Sequence, residues 1–167
     1  MKAVFLDRDG IINKDYSYVH KSERFEFCDG IFEVLQYLVS IDYLLFIVTN
    51  QSGIGRGYYS EGDFEKLTHW MLNEFKKKNI KITKVYHCPH SPSDNCNCRK
   101  PKTLMFKQAQ QEFGIDIKNS WMIGDKQSDI EAGKNAGIRN TIFVNSTTCK
   151  EALYSVTSIL DIIKIIK

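Results

Sequence analysis

Short unbroken apolar runs alternate along the chain with longer stretches of helical periodicity. Residues 3–6 and 43–48 are continuous apolar runs that stop at Asp7 and Thr49, and residues 121–123 form a shorter one ending at Gly124-Asp125. Residues 84–87 and 141–144 predict two further strands, the first running into a cluster of cysteines. Between the runs, Ile31, Val34, Leu35 and Leu38 recur at the spacing of one helical face. Phe64, Leu67, Met71, Leu72 and Phe75 form the inward stripe of a longer helix, with Ser60 and Asp63 spaced as a reciprocal cap at its start. Residues 103–113 and 129–136 read as helices closed by Gly114 and Gly137. Ile159, Leu160, Ile162, Ile163 and Ile166 predict a packed terminal helix.

Strands apolar on both faces, alternating with helices, are the pattern of a parallel sheet covered on both sides. The expected fold is therefore α/β, a Rossmann-like doubly wound parallel sheet. The 167 residues predict a single domain spanning 1–167. In such sheets ligands collect at the carboxyl ends of the strands. Asp7, Thr49 and Asp125 each follow a core strand, so one rim gathers polar groups from distant parts of the chain.

Charge and composition narrow the partners. A net charge of +3, scattered along the chain, offers no basic, aromatic-interleaved stripe for nucleic acid, yet does not repel an anionic small molecule. The first apolar run is too short for a signal peptide core, and no stretch is long enough to span a membrane. The chain reads as a cytoplasmic monomer acting on a small molecule.

Asp7-Arg8-Asp9-Gly10 sets two carboxylates at i and i+2, on one side of extended backbone. Their mutual repulsion calls for a cation, and magnesium, with oxygen ligands from Asp7, Asp9 and Asp125, answers it. A carboxylate such as Asp7 attacks phosphorus to give an acyl phosphate, while Asp9 serves as general acid and then base. Thr49 and Lys100 supply the hydroxyl and the cation that stabilise charge on a transferring phosphoryl group. Asp129 is placed either to support this set or to cap its helix. Alone, each feature is an ordinary turn or strand end. Their combination at successive strand ends is not.

Five cysteines without a leader argue against a disulfide framework. Cys88, His90, Cys96 and Cys98 bracket a short loop, 88–98, and give three thiolates and an imidazole, the closed donor set of structural zinc. A zinc clip there would fix the direction of the adjoining Arg99 and Lys100. His87 should face the opposite side, and Cys28, Cys149 and His69 have no visible partner.

FLDRDG, VTNQSG, CRKPK and GDKQSD resemble the four ordered motifs of the haloacid dehalogenase superfamily of phosphatases. That resemblance covers roughly residues 2–144 and implies a magnesium-dependent phosphoric monoester hydrolase with an aspartyl nucleophile. The segments between motifs have no room for an inserted cap domain, so a capless member is expected. Within the superfamily, the zinc loop resembles both the heptose bisphosphate phosphatases and the histidinol-phosphate phosphatases. DYSYVH (residues 15–20) and TNQSGIGRG lean to the heptose group, which implies work on a sugar bisphosphate in the supply of activated heptose for lipopolysaccharide or other surface glycans. By that match Asp15, Tyr16, Ser17, Tyr18, Asn50, Gln51, Ser52, Arg56, Arg99 and Lys126 contact substrate. Ile11 departs from the usual Thr, with little loss expected. A receiver-like phospho-aspartate signalling domain is the non-enzyme alternative, but VTNQSG has no acceptor aspartate.

Overall fold

The computed structural model describes residues 1–167. A six-stranded parallel sheet is built from β1 (Ala3–Leu6), β2 (Leu44–Asn50), β3 (Ile82–Cys88), β4 (Trp121–Gly124), β5 (Asn140–Val144) and β6 (Tyr154–Val156). Its order is β3-β2-β1-β4-β5-β6. The chain leaves β1 toward β2 and β3, then crosses back to β4 on the other side. The carboxyl ends of β1 and β4 therefore flank the topological switch point where such sheets bind ligands.

Side chains alternate between two buried faces. Val4, Leu6, Leu45, Ile47 and Ile123 pack against α1 (Ile31–Ser40) and α3 (Glu61–Lys77). Ala3, Phe5, Phe46, Val48 and Met122 pack against α4 (Leu104–Phe113), which contributes Met105, Phe106 and Ala109, and against Ala132 of α5 (Gln127–Asn135). Burial on both faces is why the strands read as unbroken apolar runs. The Ser60–Asp63 reciprocal cap forms as predicted, and Gly114 ends α4 in the left-handed region at φ 63°. Ile11 is fully buried in the larger core.

The carboxy terminus differs from expectation. In place of one amphipathic helix there is a 3-10 turn, Ile159–Asp161, and then the single helical turn α6 (Ile162–Ile165). Ile159, Ile162 and Ile166 are buried as expected, whereas Leu160 is 45% exposed. The isoleucine-rich sequence carries little intrinsic helix preference, because β-branched side chains lose rotamer freedom in a helix. Strand β6, only three residues long and mostly exposed, carries no apolar run to announce it. A second unannounced element is the four-residue helix α2 (Ser52–Gly55).

Candidate active site

Asp7 follows β1 directly, and its N–H extends the ladder to the Ile123 carbonyl at 3.0 Å. Lys100 arrives from the loop after β3 and donates all three ammonium hydrogens: to Asp7 Oδ1 at 2.9 Å, to Asp129 Oδ1 at 2.6 Å and to the Val48 carbonyl at 2.7 Å. Asn50 fixes the backbone of that lysine from both sides, accepting from its N–H at 2.9 Å and donating to its carbonyl at 3.2 Å. Burial alone would lower the pKa of Lys100; the charges of Asp129 and Asp7 reverse this and raise it.

Asp125, at the end of β4, completes a carboxylate cluster. Ligand atoms of Asp7, Asp125 and Asp129 lie within 4.8 Å of one another. Gly10 permits this approach: at φ 98° a Cβ would sit 2.1 Å from Asp125 Oδ2. Burial raises the pKa of Asp7, and the neighbouring charges of Asp129 and Asp125 push it further than Lys100 can restore. Asp125 is likewise raised, by burial first and by Asp129. Its Oδ1 is buried with no hydrogen-bond partner. Asp129 fills both roles open to it, since its second oxygen accepts the Lys126 N–H at 3.1 Å at the start of α5.

The Asp9 carboxylate is not among these converging ligand atoms. Oδ1 accepts from Arg8 at 2.8 Å and Asn13 at 3.0 Å, and Oδ2 accepts from Gln51 at 3.0 Å. Burial would raise its pKa, but Arg8 and these donors outweigh it and hold the carboxyl below the usual range. Arg8, Asn13 and Tyr59, the last donating to Gln51 Oε1, were not expected from sequence. The only sequence signal for Arg8 is its place between the two aspartates.

A cavity of about 360 Å³ opens beside the carboxylates, bordered by Asp9, Asp15, Ser17, Tyr18, Asn50, Gln51, Ser52, Arg99, Lys100 and Lys126. Tyr59 and Ser128 also border it, without having been expected to. Two predicted contacts fall elsewhere. Asp15 Oδ1 accepts the Ser17 N–H at 3.0 Å, a tight turn that throws Tyr16 outward, where its hydroxyl donates to Glu26. Arg56 caps the exposed end of α2 and reaches only Ser52. Ser17 and Tyr18 both hold left-handed backbone, φ 59° and 54°. The loop is pinned where Arg8 donates to the Val19 carbonyl at 2.8 Å. Lys126 reaches Asp15 at 3.2 Å across the mouth. One Arg99 guanidinium nitrogen, Nη1, is buried without a partner.

Beyond Arg99, Cys88, His90, Cys96 and Cys98 bring their ligand atoms within 4.8 Å of one another. The chain reverses between the two pairs through a 3-10 turn, Pro92–Asp94, where Asp94 accepts the Ser91 N–H at 2.7 Å. His87 points away, against Phe64 and Glu61. Cys28 and Cys149 are not part of this set.

The comparisons agree with this geometry. A family model described as HAD-hydrolase-like matches residues 97–158. The D-glycero-alpha-D-manno-heptose-1,7-bisphosphate 7-phosphatase of Campylobacter jejuni is 60% identical over 144 residues, 86% of this chain and 83% of that protein. The beta-specific counterpart of Pasteurella multocida is 45% identical over 99% of this chain and 97% of its own length. The chain belongs to the heptose-bisphosphate phosphatase family. Members of this family share the fold as well: the D,D-heptose 1,7-bisphosphate phosphatase of B. bronchiseptica, solved with magnesium and phosphate, superposes with a TM-score of 0.88 at 23% identity, covering 99% of this chain and 97% of that one. As in a capless haloacid dehalogenase fold, only the loop with the Ser22–Arg24 turn separates β1 from α1, and only the Cys/His loop separates β3 from α4. No helix of this family member is long and apolar enough to cross a membrane.

Proposed function

We propose that this chain removes the 7-phosphate of D-glycero-D-manno-heptose 1,7-bisphosphate through an aspartyl phosphate on Asp7, in the supply of activated heptose for surface glycans. The observation that carries this reading is one cavity bordered by both Lys100, which is paired to Asp7 behind it, and Arg99, whose Nη1 has no partner. Two anion-binding points suit a substrate with two phosphates, and a planar guanidinium grips the distal one through paired hydrogen bonds. The heptose relatives at 60% and 45% identity support this substrate, and histidinol phosphate is not favoured.

In the first step an Asp7 carboxylate oxygen attacks phosphorus, the bond to the sugar O7 breaks, and that oxygen takes a proton from Asp9. In the second, a water attacks the aspartyl phosphate, Asp9 accepts its proton, and phosphate leaves with Asp7 restored. The donors around Asp9 hold it ionised, the state the second step needs. A phosphate dianion entering the same cavity raises the cost of that charge and favours the proton that the first step needs. Thr49 and Lys100 face the charge that spreads over the phosphoryl oxygens.

Magnesium fits this donor set: three carboxylates converge, two with raised pKa values, and the buried Asp125 Oδ1 lacks any partner. Asp7 and Asp125 would hold it, and when bound it supplies positive charge to the carboxylates and the phosphoryl group. Structural zinc fits the Cys/His set. Burial raises Cys88 and Cys98, whereas Cys96, despite burial, is brought down to about 6 by the Arg99 N–H and by its thiol neighbours. Three converging thiolates need a cation, and zinc accepts this donor set in a closed tetrahedron.

Phosphate release from heptose 1,7-bisphosphate and from histidinol phosphate, measured side by side with magnesium, tests the substrate. The expected result is a kcat/KM at least about tenfold higher for the heptose, a difference of about 1.4 kcal/mol in transition-state binding. The reverse order would overturn the assignment.

A further inference from the structure

Gln51 borders the cavity, yet it is 3% exposed and its amide is fully engaged inside the protein. One amide hydrogen goes to Asp9 Oδ2 at 3.0 Å and the other to Thr49 Oγ1 at 2.8 Å. Its oxygen accepts from the Tyr59 hydroxyl. The amide orientation follows from the partners, because an oxygen turned toward the Asp9 carboxylate would oppose another acceptor. With both amide hydrogens engaged, the side chain has no donor left with which to hold a phosphate. The main chain is fixed too, its N–H donating to the Cys88 carbonyl at 2.8 Å. Behind it, the Tyr59 ring lies flat against His20, centroids 4.9 Å apart and planes 8° apart.

We propose that Gln51 is a positioning residue, held by Tyr59, that orients the acid–base Asp9 and the phosphoryl-stabilising Thr49 together. By donating to Thr49 Oγ1, Gln51 occupies a lone pair of that hydroxyl. The single Thr49 proton is then left to donate elsewhere, toward a phosphoryl oxygen. By donating to Asp9 Oδ2, it sets the direction of the carboxyl that must meet the leaving oxygen and later the water. One amide thus couples leaving-group protonation to charge stabilisation at phosphorus. This inference rests on the proposed aspartyl-phosphate mechanism and replaces the substrate-contact role expected for Gln51.

Gln51→Glu tests it, since the side chain keeps its shape and the backbone bond to Cys88 while its donors become acceptors. On the sugar bisphosphate, kcat should fall by roughly 10²-fold, the cost of misplacing a catalytic group, with KM changed by less than about threefold. On p-nitrophenyl phosphate, whose leaving group needs no proton, the fall should be at least about fivefold smaller. Tyr59→Phe removes only the hydroxyl and should show the same pattern at roughly fivefold in kcat, with a melting temperature lowered by only a few degrees; it decides alone if Gln51→Glu does not fold. A raised KM with kcat retained would make Gln51 a substrate contact and overturn the proposal. Equal losses on both substrates, or none, would also overturn it. If the wild type proves inactive on the sugar bisphosphate, the reading of function fails separately, and glycerol 1-phosphate replaces it as the alkyl phosphate in the same comparison.

Discussion

Lys100 shows how a single buried cation organises the site. It is 3% exposed and faces two carboxylates, while a third, Asp125, stands beside them. Burial first, and then the crowding of three acids that Lys100 and Lys126 only partly offset, raises the pKa values of Asp7 and Asp125. Folding therefore favours their protonated forms. The stability contributed by those protons is fully present below the unfolded value near 3.8 and is lost as pH rises through the folded values, about 6 for Asp125 and about 8 for Asp7. In magnesium-free buffer the denaturation midpoint should fall between about pH 4 and pH 8. Added magnesium should flatten that slope by taking the place of the protons. Asp9, held below the ordinary range, works in the opposite sense, and only at the acid end. Chemical denaturation across this window, with and without magnesium, checks the claim; equal slopes would contradict a magnesium site on these carboxylates.

At the level of elements, the Cys/His loop braces two sides of the cavity. Cys98 leads directly into Arg99 and Lys100, and the Arg99 N–H donates to Cys96 Sγ at 3.4 Å. On the other side, Pro89 accepts the Gly55 N–H at 2.8 Å, and Cys88 accepts that of Gln51. Gly55 makes the contact possible, since a Cβ there would lie 2.8 Å from the Pro89 carbonyl oxygen. Loosening the loop should disturb the cations and the Gln51 segment together. Cys96→Ser should lower the melting temperature by roughly 5 °C or more and raise KM, because Arg99 loses its anchor. Thermal melts with steady-state kinetics and a zinc assay check this; full turnover in protein shown to be zinc-free would contradict it.

Across the whole molecule, the sheet was legible because both of its faces are buried, so each core strand announced itself as an apolar run. Asp7, Thr49, Lys100 and Asp125 were legible for a related reason: three of them follow such runs, and the topology brings their ends to one rim. What sequence did not disclose depends on contacts between distant segments. Tyr59 and Arg8 matter through Gln51 and Asp9, pairings no local spacing implies. Tyr16 and Arg56 lie in substrate-like segments but are turned outward by a tight turn and a helix end. Strand β6 and the broken terminal helix were missed because short edge elements are set by what they pack on, not by their own pattern. In the proposed mechanism the phosphoryl group passes through Asp7. Acid quenching during turnover on the sugar bisphosphate, followed by peptide mass analysis, should find it on the peptide containing Asp7 and nowhere in Asp7→Asn, which should not turn over. A phosphoryl group on another residue, or an active Asp7→Asn, would contradict the mechanism.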